Sequence, residues 1–250
     1  DQIAVPEFNF GAMENPGLVT YRDSVLLLDA DNIAIAKQRG AAMIITHELA
    51  HMWFGNLVTP RWWNDIWLNE SFATWMARKV AQEVYPEFDL QTADLRGRRR
   101  AMQADMLASA KMIRREVDGA YDKTLLFDSL SYSKGGAILG MLENWMGAEA
   151  FRAGMQQYME AHAWGNADAF DLAAAMEDVG AVGVNEVMKA FTTQPGVPLV
   201  KIERVSDNQL KLSQQRYVML SDERAYDTTW TIPVVIRYST GQQDFTQRVL

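Results

Sequence analysis

Cysteine is absent from the 250 residues. That excludes disulfides and zinc–thiolate centres and leaves imidazoles and carboxylates as the ligands a metal would find, while the compartment stays open. No apolar run approaches the ~18–20 residues a membrane span needs. Positive charge is in deficit: 24 Lys and Arg stand against 32 Asp and Glu, a formal net charge of −8, which argues against a nucleic-acid footprint. The basic run Arg96–Arg100, interrupted by Gly97, has no aromatic interleaving and no second cluster, so it reads as a solvated helix face. Repeats and low-complexity segments are missing too. The chain opens on Asp rather than Met and shows no basic-then-apolar leader, so an excised fragment is expected, its targeting signal not included.

Histidine is also scarce, and its placement is informative. Of three histidines, two stand four apart in His47-Glu48-Leu49-Ala50-His51. On a helix that spacing stacks both imidazoles on one face, while Glu48 is rotated away from them. The stretch follows the apolar run Ala41–Ile45, and Gly55 can end the helix. Eighteen residues separate His51 from Glu70, in Trp67-Leu68-Asn69-Glu70 at the start of a second helical pattern. Two imidazoles and a carboxylate with a fourth position left for water make an open zinc site, and His-Glu-x-x-His is the pattern of zinc peptidases. His162 reads as a surface or helix-end residue.

Along the chain, residues 1–30 read as extended, with strand-like Leu18–Leu28 following the breaker-rich loop Gly11–Gly17. Helices are expected over 34–54, from Asn69 (as N-cap) to Val84, over Leu90–Met112, through Trp145, and over 148–162, 168–179 and 184–193. Asn64 and Asp65 read either as partners orienting a ligating imidazole or as caps, and Asp128 is left undecided. Phe72, Trp75 and most of the fourteen methionines read as core. At Gln194–Pro198 the period changes, and short strands follow: Leu199–Val205, Gln209–Gln214, Trp230–Tyr238 and Asp244–Leu250, with turns at Asn208 and Gly241. The expectation is an α+β chain with a mainly helical domain over 1–196 and the start of a β-sandwich over 197–250.

Four stretches carry a resemblance: Gly-Ala-Met-Glu-Asn at 11–15, His-Glu-Leu-Ala-His at 47–51, Trp-Leu-Asn-Glu-Ser-Phe-Ala at 67–73 and Ser-Tyr-Ser-Lys-Gly at 131–135. In order and spacing the chain resembles the M1 family of zinc aminopeptidases, the gluzincins. The resemblance implies a thermolysin-like zincin catalytic domain, truncated at its N-terminal side, that joins its β-sandwich at 191–198. It implies one Zn2+ held by His47, His51 and Glu70, with Glu48 as the acid–base carboxylate and Tyr132 donating to the oxyanion. Glu14 would take the α-ammonium of a peptide substrate, and main chain at Gly11 and Ala12 would line the peptide. A further amine-binding side chain would lie in the family's N-terminal domain, so the remaining domains of a full-length chain are expected partners. Pro16 and the Gly135-Gly136 pair depart from the family's usual pattern, away from the metal ligands. Two alternatives stand beside this reading. A thermolysin-like endopeptidase would share the metal ligands but have no use for Glu14, and a non-catalytic fragment would bind zinc or peptide without turnover.

Overall fold

The computed structural model describes residues 1–29, 31–119, 123–206, 209–218 and 228–250. About half of the chain is helical, with small sheets at either end, an α+β arrangement. Three short strands open it, β1 (Gln2–Val5), β2 (Ala12–Met13) and β3 (Val19–Arg22), in the order β1-β3-β2. β1 runs parallel to β3 and β2 antiparallel, so β2 is an edge. The strand expected over Leu18–Leu28 stops at Arg22 and gives way to a helical turn, α1 (Asp23–Leu26). Asp23 Oδ1 accepts from Ser24 N (2.6 Å), a local bond that competes with the ladder.

α2 (Ile35–Ala50) carries the histidines and ends at His51 rather than running on to 54. A parallel pair follows, β4 (Val58–Pro60) with β5 (Gly165–Ala167). α3 (Ile66–Val84) starts one turn earlier than expected, so Asn69 is an interior helical residue and not the N-cap. The cause is Asp65, whose buried carboxylate is taken by Arg114 (2.9 and 3.1 Å) and Trp67 Nε1 (3.2 Å). Asp65 thus orients no imidazole and makes no side-chain cap. Every residue from Trp67 to Trp75 is buried, which makes α3 the central helix, packed by α2 and its later neighbours.

α4 (Leu90–Asp105) ends seven residues before the expected Met112. Asp105 lies buried at its C-terminal end, where it accepts from Gly196 N (2.8 Å) and pairs with Lys134 Nζ (2.8 Å). An acid there opposes continuation of the helix dipole and is held by these two partners instead. The basic run is exposed on α4, and Arg98 pairs with Asp94. A π-helical turn, Leu130–Lys134, leads into α5 (Gly135–Met146), and then come α6 (Ala148–His162), α7 (Ala169–Asp178) and α8 (Val184–Thr192). Asp168 and Asp171 form a reciprocal capping box on α7.

The core joins α3, α5, α6, α7 and α8 around Trp67, Phe72, Leu139, Phe151 and Met176. Phe72 stacks on Phe54 with ring centroids 4.6 Å apart. After residue 196 two ribbons appear as separate two-stranded sheets: β6 (Val197–Ser206) with β7 (Gln209–Tyr217), and β8 (Val234–Ser239) with β9 (Asp244–Val249). The third expected strand starts late because Trp230 gives its N–H and C=O to the Gln214 side-chain amide (2.8 Å each), not to a ladder. Gly241, at φ +84°, sits in the β8–β9 turn, and Asn208 lies outside the described residues.

Candidate metal centre and peptide cleft

The packing of α2 against α3 brings the sequence-separated donors together. His47 and His51 sit one turn apart, with Nε2 atoms 3.0 Å from each other. Glu70 Oε2 from α3 lies 3.2 Å from His47 Nε2 and 3.8 Å from His51 Nε2. Three donors around one ion at ~2.0–2.1 Å stand roughly 3.3 Å apart in a tetrahedral site, so the triangle has the right size. His51 Nδ1 is 2.9 Å from Phe54 O, and donating there leaves Nε2 with its lone pair for a cation. His47 Nδ1 faces Thr74 Oγ1 at 3.4 Å. Burial pushes the Glu70 carboxyl up, but the two imidazoles outweigh it and hold it below the ordinary value. Burial, with His47 beside it, lowers His51 and keeps it neutral, the form that ligates.

A second set of donors, Glu14, Glu48 and His51, lies close enough to be considered. In that set His51 Nδ1, 3.8 Å from Glu14 Oε1, already faces Phe54 O at 2.9 Å. In the set of His47, His51 and Glu70 both imidazole Nε2 atoms face Glu70 Oε2, an arrangement that could hold a metal.

Glu48 is 6% exposed, and its Oε2 is buried with no hydrogen-bond partner among the described residues. Burial, then repulsion from Glu14 and Glu70, pushes its carboxyl up to about 8. Tyr132 occupies the middle of the π turn, a helical irregularity that recurs at functional sites, with its ring 5.9 Å from that of His47. Burial and then the Glu70 carboxylate raise its hydroxyl well above the usual range, so it keeps its proton and stays a donor. The turn is fastened from three sides. Asp128 Oδ1 accepts from Leu130 N and Ser131 N, Ser131 Oγ donates to Leu126 O (2.6 Å), and Ser71 Oγ donates to Ser131 O (2.6 Å). Gly135 lets the turn approach α3, because a Cβ there would lie 1.8 Å from Ser71 Oγ.

These groups share a cleft of about 540 Å³, a size suited to a small ligand or a short peptide segment. Gly11, Ala12 and Glu14 line it at the β2 edge, distant from Glu48 and Tyr132 in sequence but in the same cavity. The structure thus brings together all eight candidates, while His162 lies apart, beside Tyr158. Sequence reasoning reads Asn69 as a helix cap and Gly55 as a helix end, and it passes over Asn56 and Ser71 as site residues. The available signal for Asn69 was its position beside a buried carboxylate, which needs donors to stay ionised.

Imidazoles, carboxylates and a phenol gathered in one cleft have the composition of a hydrolytic metal centre. The chain belongs to peptidase family M1: the model of the peptidase family M1 domain matches residues 1–191. Membership in this metallopeptidase family implies a metal ion. Among curated relatives, "Aminopeptidase M1" of Arabidopsis thaliana is 39% identical over 236 residues, 94% of this chain and 26% of that one. "Tricorn protease-interacting factor F2" of Thermoplasma volcanium is 39% identical over 241 residues, 96% and 30% of the two chains. "Alanine/arginine aminopeptidase" of Saccharomyces cerevisiae is 39% identical over 244 residues, 96% and 28%. The chain therefore spans between a quarter and a third of the length of these relatives.

Proposed function

We propose that this chain is the catalytic segment of a zinc aminopeptidase that removes the N-terminal residue of peptides. His47, His51 and Glu70 would hold the ion. The borderline donor set of two imidazoles and one carboxylate favours zinc over the all-oxygen preference of magnesium or calcium. Bound there, zinc supplies Lewis acidity and lowers the pKa of water from 15.7 towards about 7. Glu48, whose Oε2 has no hydrogen-bond partner among the described residues, accepts a proton from water and returns it to the departing amine. The Tyr132 hydroxyl donates to the oxygen on which negative charge develops. The β2 edge offers main chain at Gly11 and Ala12 to an extended peptide, and Glu14 pairs with its α-ammonium.

The observation that carries this reading is the Glu14 carboxylate, 3.8 Å from His51 in the same cleft as Glu48 and Tyr132. A carboxylate so close to the metal ligands serves an exopeptidase and hinders an endopeptidase. The same family resemblance supports a thermolysin-like zincin domain over 1–196 and the opening strands of a β-sandwich over 197–250, with further domains of a longer chain completing the substrate site. The test is hydrolysis of an alanine arylamide and its N-acetyl counterpart by the zinc-loaded full-length protein. Cleavage of the free-amine substrate alone is expected. Equal cleavage of both would make it an endopeptidase, and no cleavage with zinc bound would make it a binding protein.

A further inference from the structure

Between the two carboxylates that matter most lies a side chain the mechanism above does not use. Asn69, buried in α3 one position before Glu70, donates through Nδ2 to Glu14 Oε1 and to Glu70 Oε1, 3.0 Å in each case. A primary amide carries two N–H donors, and both are spent on anions that otherwise repel each other. Its Oδ1 rests against the main chain of Gly55, where a Cβ would come within 1.9 Å. Gly55 also has φ +128°, so side chain and conformation both require glycine there. The next residue, Asn56, donates through Nδ2 to Glu14 O (2.9 Å). Glu14 is thus held at its main chain by Asn56 and at its carboxylate by Asn69, which is itself backed by Gly55.

We propose that Asn69 is a positioning residue that sets the spacing between the amine-recognising carboxylate of Glu14 and the metal-binding carboxylate of Glu70, and so confines cleavage to the first peptide bond. The proposal rests on the aminopeptidase reading. Glu14 sits just beyond an edge strand of two residues, followed by Pro16 and Gly17, and its side chain is partly exposed. Among the described residues, only the Asn69 amide ties its Oε1 to the rigid helix that also carries Glu70. Without that tie the anchor is free to turn towards solvent, and the peptide's amine no longer fixes which carbonyl meets the reacting groups.

The experiment compares zinc-loaded full-length wild type with Asn69→Asp, which keeps the shape but replaces the donor by an oxygen, and with Asn69→Ser and Gly55→Ala. Readouts are kcat and KM on alanine arylamide and its N-acetyl form, zinc per chain, and calorimetric affinity for alanine hydroxamate and N-acetylalanine hydroxamate. For Asn69→Asp, KM for the free-amine substrate should rise about tenfold or more, as expected for losing a charge-assisted bond. The free-to-acetyl ratio of kcat/KM should fall by a similar factor, and alanine hydroxamate should weaken while its acetyl form does not. Zinc should stay at one per chain. Asn69→Ser and Gly55→Ala should shift the same ratio, so the proposal stays testable if Asn69→Asp does not fold. A fall in kcat with KM and the ratio unchanged would overturn the proposal, as would loss of zinc with the ratio intact. A wild type indifferent to acetylation would instead overturn the aminopeptidase reading itself.

Discussion

In the helical body the apolar side chains meet one another, whereas on the β6–β7 ribbon they meet water. Phe72 is 2% exposed between Phe54 and Trp75, but Ile202 on β6 is 65% exposed, with Val205, Leu210 and Leu212 exposed around it. Both regions obey their local periods. The difference is the number of layers: α3 is covered on all sides from Trp67 to Trp75, while a ribbon of two strands has no second sheet against which to bury a face. His47, Glu48, His51, Glu70 and Tyr132 lie in the helical body, and Gly11, Ala12 and Glu14 come to them from the β2 edge. A carboxylate held beside two imidazoles, and a phenol on a π turn, need neighbours that cannot move aside, and only the body supplies them.

The sharpest way to exploit this contrast is Glu48→Gln in the zinc-loaded full-length protein. Turnover should fall by at least the ~10²–10⁴ that a general base contributes, with zinc content and melting temperature unchanged. Retained hydrolysis at full metal occupancy would remove Glu48 from the mechanism. Next is Phe72→Ala, which empties a stacked position and should cost ~3–5 kcal/mol in urea denaturation. A loss below that of an exposed ribbon site would break the distinction between the regions. Tyr132→Phe keeps the ring against His47 and removes one donor, so kcat should drop by about 10²–10³ with little change in KM. An equal rise in KM would assign Tyr132 to binding.

Charge crowding gives the body a pH signature in the metal-free state. Glu48 keeps its proton up to about 8, against 4.5 ordinarily, because burial and the nearby Glu14 and Glu70 disfavour its anion. A group raised in this way makes the folded state bind more protons between those two values, so stability is full below about 4.5 and declines as pH rises towards about 8. Thermal unfolding of the apo-protein across that range should show the decline, and Glu48→Gln should flatten it. A slope unaffected by that change would place its origin elsewhere.

How far sequence reaches also differs between the regions. The His47–His51 pair was legible because four residues make about one turn, and helices α6 to α8 and the ribbons were legible from period alone. Asn69 was not. Asparagine before an apolar run resembles a cap, and only tertiary placement shows that its amide is used between two carboxylates. The π turn at Tyr132 has no sequence period of its own; it is set by Asp128, Ser71 and the missing side chain of Gly135. The early end of α4 depends on Gly196, 91 residues further on. Local patterns name elements, and long-range polar bonds decide where they stop.

The smallest effect completes the comparison. Ile202→Ser on β6 removes a large apolar side chain from a position already in water, so stability should change by no more than about 0.5 kcal/mol. The same replacement at Leu139, fully buried in α5, should cost ~2–5 kcal/mol from the lost side chain alone, before the added hydroxyl is counted. The pair should be measured twice, in this chain and in the longer protein. If strands outside these residues cover the ribbon, Ile202→Ser becomes costly only in the longer protein while Leu139→Ser is equally costly in both. Should Ile202→Ser stay neutral in the longer protein, the ribbon is a finished, water-facing element, and the β-sandwich proposed for 197–250 is ruled out.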